Sequence, residues 1–333
     1  MDAVMGLHLP DKWLWDFWLA KDRGDYHIFF LQAPRALGDE RQRHWHVSIG
    51  HAVSQNLRDW EVLPDALHPS EPNAWDDYTT WTGSVIRNGS GWRLFYTGTS
   101  RRENGLIQRI GLASSTDLVH WEKHPHNPLV AADSRWYELL DLNMWHDQAW
   151  RDPWVFRHPK RGTFHAFITA RRSQGDAMRR GVIGHAHSKD LIEWEVLPPI
   201  AEPGDFGQME VPQLVSIGGL YYLLFSTRAD DHSDHRKERT GRAAVTGTHY
   251  LVAKDPLGPF HFTTDEFLVG TREARFYSGK LVEGPQGNWF FLAFRNFDAH
   301  GNFVGDLTDP LPITVDDAGS LAVDWGAKRP SRS

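Results

Sequence analysis

A chain of 333 residues with a formal net charge of −7 and both signs mixed throughout can bury a large core, but it lacks the concentrated basic face that binds phosphate backbones, which argues against a nucleic-acid partner. It has no cysteine, so disulfides and thiolate chemistry are excluded. The opening stretch places Asp2, Asp11, Lys12 and Asp16 among its apolar residues, and no later run is long enough to span a bilayer, so a soluble, cytoplasmic chain with no membrane partner is expected.

Strand-like runs then come in pairs. LWDFWLA (14–20) precedes YHIFFLQA (26–33), TWTGSVI (80–86) precedes WRLFYTGTS (92–100), and RDPWVF (151–156) precedes FHAFITARR (164–172). EVPQLV (210–215) and YYLLFSTR (221–228) form a fourth pair, FYSGKLV (276–282) and WFFLAFRNF (289–297) a fifth. The spacing within each pair is that of a hairpin. The first three pairs are followed by segments that align without a gap: IGHAVSQNLRDW (49–60), IGLASSTDLVHW (110–121) and IGHAHSKDLIEW (183–194). Each holds a glycine, an Asn/Asp-Leu pair and a tryptophan, so Trp60, Trp121 and Trp194 are expected in the core. Five such units of about sixty residues predict an all-β fold, a five-bladed β-propeller, as a single domain over 1–333 with blades starting near 14, 80, 151, 210 and 276.

First strands line the central funnel of a propeller, so their starts meet although they lie far apart in sequence. Those starts hold Asp16, Trp81 with Ser84, Arg151 with Asp152, Glu210, and Tyr277. Carboxylates gathered in a partly dry funnel repel one another and separate in pKa, so that one stays ionised while another holds a proton. Glycosidic bond cleavage needs this: one carboxylate attacks or activates water, a second protonates the leaving oxygen, and a third stabilises positive charge on the ring. The 16 tryptophans suit both a propeller core and a sugar-stacking site.

WDFW (15–18), WTGS (81–84), RDP (151–153) and MEVPQLV (209–215), in that order, resemble the motifs of the fructan-active glycoside hydrolases of families 32 and 68, more closely those of family 68. The resemblance implies a retaining β-fructofuranosidase on a five-bladed propeller, acting on a small fructoside such as sucrose through a covalent fructosyl-enzyme, with transfructosylation as a side activity. It assigns Asp16 as nucleophile, Asp152 as stabiliser and Glu210 as general acid/base. It also implies that Trp15 and Trp81 wall the sugar site, that Ser84 contacts a hydroxyl, and that Arg151 binds the sugar or orients a carboxylate. Arg228, eighteen residues after Glu210, would recognise the leaving-group sugar, with Gln208 and Tyr277 also in contact with substrate. Gln208 stands where family 68 often has an acid, which favours hydrolysis over polymer synthesis.

Two other readings share these residues. An inverting or retaining enzyme on another furanoside, such as an arabinofuranoside, is opposed by the WDFW and RDP contexts, and a non-catalytic carbohydrate-binding propeller by the presence of all three acids. The histidine clusters HWH (44–46), HPH (124–126) and DDHSDH (230–235) lack a second ligand pair at a recognisable spacing, so no metal or other cofactor is expected. The charged run DHSDHRKERTGR (231–242) reads as a loop at the funnel rim. The sequence leaves the oligomeric state open.

Overall fold

A computed structural model describes residues 6–326. Five antiparallel sheets follow one another along the chain. The first contains β1 (Lys12–Asp22), β2 (Asp25–Pro34), β3 (Ser48–Ser54) and β4 (Glu61–Leu67); the second β5 (Thr79–Asn88), β6 (Gly91–Thr99), β7 (Arg109–Ser115) and β8 (Glu122–Lys123). The third contains β9 (Trp150–Arg157), β10 (Phe164–Arg171), β11 (Gly181–Ser188) and β12 (Trp194–Ala201); the fourth β13 (Glu210–Ile217), β14 (Leu220–Thr227), β15 (Thr246–Ala253) and β16 (Val269–Thr271). The fifth has β17 (Phe276–Glu283), β18 (Trp289–Phe297), β19 (Phe303–Leu307), β20 (Leu311–Val315) and β21 (Leu321–Val323). Within each sheet the strands pair in sequence order, except that β19 and β20 both pair with β18. The inner strands β1, β5, β9, β13 and β17 touch in cyclic order, which makes the five sheets the blades of a propeller. The blades begin at residues 12, 79, 150, 210 and 276, within two residues of the sequence expectation.

The second strands explain the near-continuous apolar runs. On β6, Leu94 and Tyr96 face the first blade while Phe95 faces the third; on β10, Ala166 and Ile168 face the second while Phe167 faces the fourth; on β14, Leu223 and Phe225 face the third while Tyr222 and Leu224 face the fifth. A strand buried on both faces has no polar side to alternate with. The aligned repeat is the turn that leaves each third strand. Ser54, Ser115 and Ser188 accept through Oγ from the amides of Asn56, Asp117 and Asp190 at 3.1–3.2 Å, and the leucines that follow take φ of 65°, 66° and 72°. This left-handed backbone is unfavourable for leucine, and Leu57, Leu118 and Leu191 hold it while almost wholly buried. Trp121 and Trp194 donate from Nε1 to the carbonyls of Leu118 and Leu191, and with Trp60 they pack half-buried against the core clusters.

The ring is closed without a covalent link. Gly6 and Leu7 exchange backbone hydrogen bonds with Leu307 of β19, and Asp306 accepts from His8 at 2.9 Å and from Arg35 at 3.3 Å. The charged run 231–242 is not a loop throughout: after a 3-10 turn at Ala229–Asp231 it forms the helix α1 (Asp234–Thr240). Ser233 caps the helix by accepting from the Arg236 amide, and Arg236 is buried with Nη1 3.1 Å from Asp205. An internal ion pair, not solvation, accounts for charge at that position.

All five inner strands are interrupted at the same place. The register shifts after Trp15, Trp81, Arg151, Glu210 and Tyr277, where an extra residue forms a β-bulge: Asp16–Phe17, Thr82–Gly83, Asp152–Pro153, Val211–Pro212 and Ser278–Gly279. Asp152, Val211 and Ser278 take φ of 57°, 49° and 52°. In four of the five the second bulge position holds proline, whose missing N–H a bulge tolerates, or a glycine without room for a side chain; in the first blade it is the buried Phe17. At Gly83 a Cβ would lie 1.9 Å from the Phe95 carbonyl oxygen. Gly83→Ala is therefore expected to lower stability by about 2–3 kcal/mol through overpacking, read as a lower midpoint in thermal or urea unfolding. An unchanged midpoint would show that the bulge has room to relax.

Candidate active site

In a regular strand consecutive side chains face opposite ways, and the bulge removes that restriction. As a result Trp15 and Asp16, Trp81 and Thr82, Arg151 and Asp152, and Glu210 and Val211 all line one cavity of about 350 Å³, together with Tyr277. A larger recess of about 670 Å³ between the fourth and fifth blades is lined by outer-strand and loop residues and includes none of these positions. The chemistry therefore belongs to the smaller funnel.

Glu210 is held at both oxygens. Arg151 Nη2 donates to Oε1 at 2.6 Å and the Tyr277 hydroxyl donates to Oε2. Arg151 is fixed in turn by Gln108 Oε1 at 3.0 Å and Asp147 Oδ2 at 3.3 Å, and Gln108 Nε2 donates to the same Asp147 oxygen at 2.8 Å. Asp152 accepts through Oδ2 from Thr169 Oγ1 at 2.8 Å and from the Val211 amide at 3.2 Å. Asp16 accepts from Thr82 Oγ1 at 3.2 Å, and its Oδ1 is buried with no partner among the described residues. Of the three acids, Asp16 has the fewest donors.

Ionisation follows from these contacts. Burial pushes Asp16 up, and repulsion from Asp152 and Glu210 adds to it, so that its carboxyl reaches about 7 despite Lys280 and Thr82. Burial raises Asp152 as well, opposed by the neighbouring Arg151. For Glu210 burial also acts upwards, but the Arg151 charge and the Tyr277 hydrogen bond outweigh it and hold the carboxyl below its usual range. Burial, with the positive charges of Arg43, Arg151 and Arg228, drives His44 down to about 3, leaving a neutral imidazole on the wall. The site thus separates its carboxylates, with the retained proton favouring Asp16 in the empty cavity.

Sequence-level expectations meet this geometry unevenly. Trp15, Asp16, Trp81, Arg151, Asp152, Glu210 and Tyr277 are brought together, and Arg151 grips a carboxylate. Ser84 is a correction: its buried Oγ accepts from the Val155 amide at 2.9 Å, joining second and third blades, and it is not on the cavity wall. The bulge resets the alternation, so Thr82 occupies the wall instead. Gln208 is buried and does not line the cavity. Arg228 also lies outside the lining, its side chain 63% exposed, with a charge that is felt at Glu210, His44 and Asp231. His44 and Trp45 come from the 3-10 helix Glu40–Trp45, Leu106 and Gln108 from the β6–β7 connection, and His146 and Asp147 from the long segment before β9. Loops of this kind have no spacing rule that sequence reasoning could use. Lys280 was legible as a lysine inside the apolar strand FYSGKLV.

The sequence pattern of the glycosyl hydrolases family 32 N-terminal domain matches residues 11–286. The chain belongs to glycosyl hydrolase family 32. The extracellular sucrase of Zymomonas mobilis is 24% identical over 94% of this chain and 81% of its own length. The sucrose-6-phosphate hydrolase of Bacillus subtilis is 28% identical over 82% of this chain and 52% of its own, so the chain spans about half of that relative. Among solved structures, inulosucrase from Halalkalicoccus jeotgali bound to kestose aligns with a TM-score of 0.78 at 21% identity, over 97% of this chain and 92% of that one. Levansucrase from Gluconacetobacter diazotrophicus aligns at 0.76 and 19% identity over 97% and 82%. The family-32 enzyme is thus a glycosidase on a fold shared with the inulosucrase and the levansucrase.

The raised Asp16 carboxyl has a measurable consequence for stability. A carboxyl whose folded pKa lies near 7 against 3.8 in the open chain destabilises the native state increasingly as pH rises from 3.8 to 7, and then by a constant amount. The limiting penalty is on the order of 4 kcal/mol. Asp16→Asn is expected to unfold at higher temperature than wild type at pH 8, with the difference shrinking as pH falls towards 4. A pH-independent difference in calorimetry would contradict the raised carboxyl.

Proposed function

We propose that this family-32 glycosidase cleaves β-fructofuranosides, sucrose foremost, with retention at the anomeric carbon. The observation that carries the reading is the convergence of Asp16, Asp152 and Glu210 from three separate blades on one small cavity. The names of the sucrase and the sucrose-6-phosphate hydrolase support the substrate class. In the first step an Asp16 oxygen attacks the anomeric carbon of the fructosyl unit while Glu210 gives its proton to the departing glycosidic oxygen. The bond to the leaving sugar breaks and an ester to Asp16 forms. In the second step Glu210 takes a proton from water, whose oxygen displaces Asp16 and releases fructose. Asp152 faces the ring as an acceptor for its hydroxyls and a negative charge beside the positive transition state. Trp15 and Trp81 provide apolar walls for the ring.

This chemistry needs Asp16 ionised and Glu210 protonated, whereas the surrounding charges and donors favour the proton on Asp16. The reactive form is then one of the tautomers of the singly protonated set. Active enzyme is the form with one proton shared across the set, and the rate against pH is a bell whose limbs belong to the set as a whole. Removing the Tyr277 hydroxyl deprives the Glu210 anion of a donor, which raises its carboxyl from the lowered position. Tyr277→Phe is expected to move the acid limb of kcat/KM to higher pH; an unmoved limb would exclude Tyr277 from control of the acid.

Incubation with sucrose, following glucose and fructose separately, tests the reaction itself. Equal release indicates hydrolysis and excess glucose indicates transfer to another sugar. Asp16→Ala and Glu210→Gln are each expected to lower kcat by about 10⁴-fold or more. Lack of release by wild type, or an Asp16→Ala enzyme as active as wild type, would sink the sucrose assignment.

A further inference from the structure

Lys280 sits on β17, three residues after Tyr277, and is almost wholly buried. A buried ammonium needs compensation. Its only hydrogen bond among the described residues runs from Nζ to the carbonyl oxygen of Val211, the bulge residue of the fourth blade with φ of 49°. No carboxylate among the described residues forms an ion pair with it, yet the charges it faces are Asp16 of the first blade and Asp152 of the third. Asp16, for its part, faces Asp152, Glu210, Tyr277, Arg43 and Lys280, and its Oδ1 has no hydrogen-bond partner among the described residues. Arg151 on the cavity wall is already engaged by Glu210, Asp147 and Gln108.

We propose that Lys280 is a positioning residue for the reaction: it anchors the strained Val211 peptide between Glu210 and Asp152, and it supplies the counter-charge that lets Asp16 act as an anion. The inference rests on the proposed role of Asp16 as nucleophile. Two features of its surroundings support it. The Val211 amide donates to Asp152 Oδ2 while the Val211 carbonyl accepts from Lys280, so the two peptide groups flanking one residue tie stabiliser, acid-bearing strand and lysine together. An apolar residue at position 280 would strand that carbonyl without a donor. Burial lowers the lysine to about 8 against the attraction of Asp16 and Asp152, so the charge is present at neutral pH and is lost above it.

Lys280→Met keeps the length of the side chain and removes the charge. With sucrose as substrate, kcat is expected to fall about 10-fold or more, KM to change less than about threefold, and both limbs of the pH profile to move up by roughly half a unit or more. The direction is fixed because a lost positive charge makes every nearby carboxylate harder to ionise. Lys280→Arg, which keeps the charge, is expected to leave the limbs in place whatever its rate. A Lys280→Met enzyme with unmoved limbs, or with wild-type kcat, overturns the proposal.

A second measurement needs neither that variant nor turnover. The Lys280 ammonium is titrated by carbon-detected NMR in wild type and in Asp16→Asn. Loss of the Asp16 charge is expected to lower the lysine pKa by roughly half a unit or more. An unchanged titration overturns the coupling even if sucrose is cleaved, while a shifted titration without sucrose cleavage condemns the substrate assignment and leaves the coupling standing.

Discussion

The bulge at the start of each inner strand is the constraint from which the site follows. The bulges of the first four blades turn consecutive residues inward, which a regular pleat forbids, and the fifth follows Tyr277 on the same wall. They are held open by hydrogen bonds that pass from blade to blade. Thr97 Oγ1 donates to the Thr82 carbonyl at 3.0 Å and accepts the Asp152 amide at 2.9 Å; Thr169 Oγ1 accepts the Val211 amide at 3.0 Å; and Thr248 Oγ1 accepts the Gly279 amide at 3.0 Å. A threonine of one blade thus secures the bulge of the next. The strain at Asp152, Val211 and Ser278 persists because the neighbouring blade supplies the donor or acceptor that the broken ladder lost.

The same arrangement sets the electrostatics. Closing the ring brings acids of three blades into one small, buried space, where burial disfavours their charges and they repel one another. Donors are shared out unequally: Glu210 has Arg151 and Tyr277, Asp152 has a hydroxyl and an amide, and Asp16 has Thr82. Unequal sharing is what separates the carboxyls in pKa, and separation is what a two-carboxylate mechanism needs. Structural stability and the proposed chemistry oppose each other at Asp16, whose poor solvation is unfavourable for folding and useful for attack.

Much of this was legible in the sequence, for identifiable reasons. Buried second strands gave unbroken apolar runs, and a turn that forces leucine into left-handed backbone gave a repeat with a fixed spacing, so the blade starts could be read to within two residues. The acids stood out because charge is rare at the mouth of a buried strand. Ser84 was assigned through the resemblance of WTGS alone, whereas the bulge at Thr82–Gly83 puts Thr82 on the wall and leaves Ser84 to accept from the Val155 amide; WTG, RDP, EVP and YSG carry the proline or glycine that marks such a bulge. Charge in 231–242 suggested a loop because sequence does not show that Asp205 lies beside Arg236.

What surrounds the cavity obeys different rules from what forms its floor. Floor residues come from inner strands, each paired in fixed register with the second strand of its blade and packed against the inner strands of the neighbouring blades, so their placement is constrained by the fold. His44, Gln108 and Asp147 arrive from connections between strands, and Arg228 stands exposed at the end of β14. These segments vary in length without disturbing any blade. A propeller of this kind can therefore keep one way of breaking a glycosidic bond while its rim decides which sugar leaves and whether water or another sugar takes its place. The site depends on the ring of bulges, because a change of register at Asp16, Asp152 or Glu210 would move an acid off the funnel.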